Sequence, residues 1–243
     1  MMQKLKKFLL DIFFPLECLG CQKPGLLLCE ECFRGLEFSD PNKSFLLATP
    51  FITKTFIAGD YDNPILAKLI KKFKYNFLSS LGAILSRWLI LFWGGQLALI
   101  NYSPDSINSS TASSASTSPE QIINTKTLSQ LSVVPIPLSK KRIKWRGFNQ
   151  AELLARPFCT AFNYPLCLEL KRLKHKTPQA ELNQDERRLN IKDNFVWAGS
   201  NPPGENILLI DDVATTGATL NEAARVLKEA GAKNVYALVL AKG

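Results

Sequence analysis

The sequence predicts an α/β fold: a mainly parallel sheet flanked by helices, with a small metal-binding knuckle ahead of it. Three observations carry this. Through residues 128–243, apolar strand runs alternate with amphipathic helix patterns, the arrangement that builds parallel sheets. Near the N-terminus four cysteines fall as Cys18-x2-Cys21-x7-Cys29-x2-Cys32. Finally, "ILLIDDVATTGATL", residues 207–220, drives a buried-strand pattern into two acids and a small, hydroxyl-rich loop before a helix begins.

The elements follow in order. "KLKKFLLDIFFPLEC" is basic and then apolar, but Asp11 and Pro15 interrupt it and no small-residue cleavage site follows. It reads as a short amphipathic helix feeding the knuckle. There, two CxxC steps bring four thiolates within reach of one tetrahedral Zn²⁺, and Gly20 and Gly25 permit the tight turns required. A disulfide framework is the alternative, and it finds no secretory signal in support. Cys159 and Cys167 lie far away and read as small buried apolar residues.

"TKTFIAGDY" reads as a strand. From Pro64 to about Leu91 the spacing of Ile65, Leu66, Leu69, Ile70, Phe73, Phe77 and Leu81 predicts one long helix, with Lys68, Lys71, Lys72 and Lys74 mostly between them. "WLILFWGGQLALI", residues 88–100, is too short to span a bilayer and reads as a buried helix end. Residues 101–127 are rich in Ser, Thr, Asn and Pro and cannot offset the entropy of ordering. The chain therefore divides into a helix and knuckle (1–40), a strand and helix packing on the core (41–100), a flexible insert (101–127) and an α/β core (128–243).

Within that core come strand "LSVVPIPL", read as central, helix "NQAELLARPFCTAF", a polar segment around 171–194, strand "NILLI", helix "TLNEAARVLKEAG" and strand "NVYALVLA". Gly231 stands where a helix C-cap belongs.

A net charge of +9 and a pI near 9.3 point to polyanionic partners: nucleic acid, phosphorylated metabolites or an anionic membrane surface. The chain reads as cytoplasmic.

Ligands of parallel sheets sit beyond the carboxyl ends of the strands, where Asp211 and Asp212 fall. Beyond them the backbone of Ala214 to Thr219, three hydroxyls and a helix N-terminus make a nest for a phosphate monoester. Carboxylates repel phosphate but accept hydrogen bonds from vicinal hydroxyls. A ribose 5-phosphate satisfies both halves. Lys140, Lys141, Arg142, Lys144 and Arg146 crowd the end of another strand, where a pyrophosphate shared with Mg²⁺ needs cations. Trp145 among them is placed to stack on a base or to pack.

"LLIDDVATTGATL" resembles the phosphoribosyl pyrophosphate (PRPP) motif of type I phosphoribosyltransferases. Together with "VPIPLSKKRIKWRGFNQAELLA", "RLKHKTPQAELNQDERRLNIKDNF", "YDNPILAKLIKKFKY" and "CLGCQKPGLLLCEEC", it resembles the ComF family of competence-associated phosphoribosyltransferase homologues. The resemblance implies a type I phosphoribosyltransferase-like sheet and a structural Zn²⁺ on Cys18, Cys21, Cys29 and Cys32. It implies that Asp211 and Asp212 form the catalytic pair on the ribose hydroxyls. Ala214, Thr215, Thr216, Gly217, Ala218 and Thr219 would hold the 5-phosphate, and Leu138, Ser139, Lys140 and Lys141 the pyrophosphate. Arg146 begins the RGFNQ signature completed by Gly147, Phe148, Asn149 and Gln150. Gln179, Leu182, Arg187 and Asn190 correspond to an active-site hairpin.

The implied ligand is PRPP with Mg²⁺. Single-stranded DNA and DNA-uptake proteins at the inner membrane are the partners that the family's competence role implies. Some purine phosphoribosyltransferases carry an acid within the phosphate loop; Thr215 stands there instead, so no general base is evident. A hood over the acceptor base is expected from the N-terminal part. Three functions remain open: a PRPP-binding protein acting in DNA uptake, an active transferase in nucleobase salvage, or a non-catalytic PRPP or nucleotide sensor.

Overall fold

A computed structural model describes residues 16–39, 50–75, 78–101, 127–128, 130–173 and 194–243. The expected N-terminal helix and most of the insert lie outside these residues.

The sheet has four strands: β1 (Lys54–Asp60), β2 (Leu131–Pro135), β5 (Asn206–Ala214) and β6 (Asn234–Lys242). Their order is β1-β6-β5-β2 and every pairing is parallel. The expected parallel α/β core is therefore present. β2, however, is an edge strand and not a central one. Among the described residues its outer side pairs only at Val133, whose amide donates to Pro165 and whose carbonyl accepts from Cys167. Pro135 ends β2, where a missing N–H costs no ladder bond.

Side-chain alternation sorts the core into two faces. Phe56, Val133, Leu208, Ile210 and Leu238 face one layer. That layer holds the knuckle helix α1 (Glu30–Arg34), α2 (Pro64–Tyr75), α3 (Leu81–Asn101) and α5 (Gln150–Phe162). Ile57, Val134, Ile207, Leu209 and Val239 face the other, covered by α6 (Ala218–Glu229) and a hairpin of β3 (Leu170–Arg172) with β4 (Phe195–Trp197). The remaining helix, α4 (Lys140–Arg146), follows β2.

The single long helix expected from Pro64 is two helices. Asn63 starts the first: its side chain accepts from the amides of Ile65 and Leu66, and Pro64 fills the first helical position. After Tyr75 the pattern breaks at Leu78–Ser80, where Leu81 and Gly82 close turns onto Leu78 and Ser79. Paired serines favour such local turns over a continuing helix, a signal that the apolar spacing overrode.

The stretch 88–100 is the second half of the 21-residue α3, so its isolated length understated the helix. By length and composition α3 suffices to cross a membrane. Here Leu81, Leu85, Trp88, Leu89, Phe92 and Trp93 pack into the core. Gly231, with φ +113°, follows α6 as expected.

Candidate functional site

The knuckle is built by its own backbone. Cys29 caps α1 by accepting from the Cys32 amide, and the Cys29 amide donates to Cys18 Sγ. All four sulfurs lie within 4.8 Å of one another, with Cys21 and Cys29 3.6 Å apart. Tetrahedral Zn²⁺ at ~2.3 Å from each sulfur requires sulfur separations of about 3.8 Å. The cluster fits such an ion, and all four cysteines are free thiols. Burial raises the Cys18 thiol, but the amides of Cys21, Cys29 and Gly20 outweigh it and bring it down to about 6. Cys29, followed by burial and the other two thiols, pushes Cys32 up to about 12.

The knuckle is fastened to the body. Arg87 of α3 donates twice to Glu30, at 2.8 and 2.9 Å, and lies over the Phe33 ring. Lys68 of α2 donates to the Leu19 carbonyl. A Cβ on Gly20 would stand 2.6 Å from Cys32 Sγ, so glycine is required there by close approach.

The acid site begins where β5 ends. β5 runs through both acids to Ala214, with Asp211 opposite Val239, so the acids lie inside the strand and not beyond it. Asp212 is buried, 7% exposed, while Asp211 is half-buried. Alternation sends them to opposite faces. Asp212 follows Leu208 and Ile210 toward the helical layer, where Lys74 Nζ meets its Oδ1 at 2.9 Å. Asp211 follows Ile207 and Leu209 toward the hairpin face and feels the charge of Arg172 on β3. Its carboxylate accepts from the Asp212 amide at 2.8 Å. Burial first, and then repulsion from Asp212, pushes Asp211 up to about 7, against the pull of that amide, Lys74 and Arg172.

The loop beyond has the expected form. Thr215 and Thr216 are exposed, and Gly217 takes φ +74° as the N-cap of α6 without a side-chain cap. Thr216 Oγ1 accepts from Ala218 N, while Ala218 and Thr219 open the helix, half-buried. With no side-chain cap from Gly217, this twelve-residue helix turns its dipole and the amides after Ala218 toward the loop, where an anion fits.

Of the residues assigned to the pyrophosphate, Leu138 and Ser139 form the half-buried connection between β2 and α4. Lys140 and Lys141 instead open α4, exposed, because Ser139 caps that helix by accepting from Arg142. Arg142 lies close enough to Arg172 that the two repel; burial, chiefly, lowers Arg172. α4, β3 and the end of β5 thus gather at one sheet edge.

Gly147 ends α4 in the left-handed region at φ +79°, and Asn149 ties the turn to β2 by donating to the Ile136 carbonyl. Phe148 stacks on Phe73 at 5.7 Å. Arg146 and Gln150 are buried. Gln179, Leu182, Arg187 and Asn190 lie outside the described residues; β3 and β4 form the stem on either side of them.

Sequence reasoning did not single out Lys74 or Arg172 as partners of the acids. The signal for Lys74 was its place at the end of a helix whose apolar face is buried. Nothing in the sequence fixed which loop it would face.

A model of the phosphoribosyl transferase domain matches residues 143–243. Competence protein F of Haemophilus influenzae is 30% identical over 231 residues, spanning 93% of this chain and 90% of its own length. Competence protein ComFC of Bacillus subtilis is 43% identical over 99 residues, 41% of this chain and 39% of that one. DNA utilization protein YhgH of Escherichia coli (strain K12) is 25% identical over 231 residues, covering 93% and 88%.

Proposed function

The chain belongs to the competence protein F (ComF) family, and from that premise we propose that it binds PRPP with Mg²⁺ and acts in DNA uptake. The observation that carries the reading is the end of β5: two acids, then a hydroxyl loop on the uncapped N-terminus of α6. The acids suit the ribose 2- and 3-hydroxyls and the loop suits the 5-phosphate. Lys140, Lys141 and the half-buried Leu138–Ser139 turn suit the pyrophosphate. Oxygen donors suit Mg²⁺, and a divalent charge nearby would favour the ionised form of Asp211, which burial and Asp212 now oppose. When bound, the ion supplies charge neutralisation for a leaving pyrophosphate.

The DNA context rests on the relatives' names, competence protein F and DNA utilization protein. The chain's charge of +9 agrees with a polyanionic partner. Zn²⁺ on the four cysteines serves the fold in this reading, because α2 links the knuckle at Lys68 to the acids at Lys74.

Calorimetry of PRPP with Mg²⁺ tests the proposal against the Asp211→Asn/Asp212→Asn variant. Each lost charged hydrogen bond is worth roughly 1.5–3 kcal/mol, so affinity should fall about a hundredfold or more. Equal affinities in two folded proteins would assign the acids to the fold alone. Pyrophosphate release with a panel of bases then separates a transferase from a binder.

A further inference from the structure

Deepening the PRPP reading, on which this inference rests, we propose that Lys74 is the built-in counter-ion of the acid site. Its ammonium fills the cation position at Asp212, so that a ribose phosphate binds without a divalent ion and only a pyrophosphate calls for one.

Two adjacent carboxylates at a strand end ordinarily require a cation, and here the chain supplies one to each. Lys74 Nζ stands 2.9 Å from Asp212 Oδ1, with the two side chains 21% and 9% exposed. Arg172 acts on Asp211 from the hairpin face, and the charge of Lys74 reaches Asp211 as well. The negative charge of the pair is thus answered before a ligand arrives. Mg²⁺ binds through one or two carboxylates with several waters retained, and an ammonium already seated on one of them repels it.

The ammonium is held there by its helix. α2 buries Leu66, Leu69, Ile70 and Phe73, and Phe73 stacks on Phe148 at 5.7 Å. Lys68 ties the same helix to the Leu19 carbonyl in the knuckle. Just past Lys74, the buried Arg146 guanidinium lies 5.5 Å from the Tyr75 ring. The last turn of a helix also favours a cation, because the dipole is negative there. Of the four α2 lysines, Lys74 alone meets a carboxylate among the described residues.

The metal requirement then follows the phosphates of the ligand. A 5-phosphate on the N-terminus of α6 is met by amides and needs no ion. A sugar hydroxyl approaches an acid whose charge is already balanced. A pyrophosphate adds charge that neither Lys74 nor Arg172 answers, because both are engaged at the acids.

The test is the effect of Mg²⁺ on affinity, which a purely structural ion pair would not alter. Calorimetry of ribose 5-phosphate, with Mg²⁺ and with chelator, compares the full chain, Lys74→Arg and Lys74→Met. The unaltered chain and Lys74→Arg should bind equally well in both conditions. Lys74→Met should bind about tenfold or more tightly with Mg²⁺, the worth of one charged hydrogen bond restored. Lys74→Gln takes its place should Lys74→Met not fold. A tenfold gain from Mg²⁺ in the unaltered chain, or none in the variant, overturns the proposal.

Were ribose 5-phosphate to bind none of the proteins, the PRPP reading would fail and melting curves with Mg²⁺ alone would still judge Lys74. Mg²⁺ is a hard cation and leaves the knuckle thiolates to softer metals. It should raise the melting temperature of Lys74→Met by a few degrees and leave the unaltered chain and Lys74→Met/Asp212→Asn unmoved. No rise in Lys74→Met, or an equal rise in all three, counts against the counter-ion.

Discussion

Removing Lys74 should destabilise the fold by leaving Asp212 without its cation. Its Nζ stands 2.9 Å from Asp212 Oδ1, with the two side chains 21% and 9% exposed. Losing one partner of a buried pair typically costs ~3–5 kcal/mol, because the other charge stays behind unpaired. Here the partial exposure of Lys74 trims that to about 2–3 kcal/mol at pH 7.

Lys74→Met keeps the aliphatic stem and isolates the charge. Urea denaturation should give a loss of about 2–3 kcal/mol at pH 7. Adding Asp212→Asn should recover much of it, since the two changes share one interaction. No measurable loss, or simple additivity with Asp212→Asn, would refute the reasoning. The stability of this edge would then rest on packing of α2 and not on the ion pair.

Three further outcomes follow from the described contacts. Cys18→Ser and Cys32→Ser should each lower bound zinc and expose the knuckle to protease; native mass spectrometry showing a metal-free parent, or a disulfide between Cys18 and Cys21, counts against the metal site. Gly59→Ala should destabilise by about 1–3 kcal/mol, because its Cβ would meet Trp88 and Leu66 at 2.3 and 2.6 Å, and an unchanged melting temperature would show that α3 yields. Asp211, raised from 3.8 to about 7, binds its proton more tightly folded than unfolded; its stabilising share is complete below about pH 4 and lost as pH rises through about 7. Asp211→Asn should therefore remove a decline in stability across that window, and parallel pH curves for the two proteins would contradict the assignment.

The parallel sheet was legible because strands buried on both faces read as apolar runs, and "ILLI" and "ALVL" do so. The knuckle was legible from spacing alone, since four thiols two and seven residues apart leave few other geometries. What the sequence concealed were relations between distant segments. Apolar spacing ran on through Ser79 and Ser80, hiding the break between α2 and α3, because a turn costs the periodic pattern nothing. Lys74 read as one more solvated lysine, although its partner stands 138 residues later (212 − 74). β2 read as central because its residues are apolar, yet an edge strand covered by Leu166 and α5 is equally buried.

The adjacent acids looked interchangeable in sequence and are not. A strand alternates its side chains, so neighbours cannot share a face. Asp212 is fixed from the helical layer by Lys74, while Asp211 titrates near neutrality on the hairpin side beside Arg172. Under the proposed PRPP reading, the two vicinal hydroxyls would meet one acid from each layer. The two contributions differ in kind. Engaging Asp212 means competing with a lysine already in place, whereas engaging Asp211 means displacing a proton or receiving a hydrogen bond from it. The first is sensitive to Lys74 and the second to pH. A site built this way couples α2, which carries the knuckle, to the hairpin stem of β3 and β4 through whatever bridges the acids.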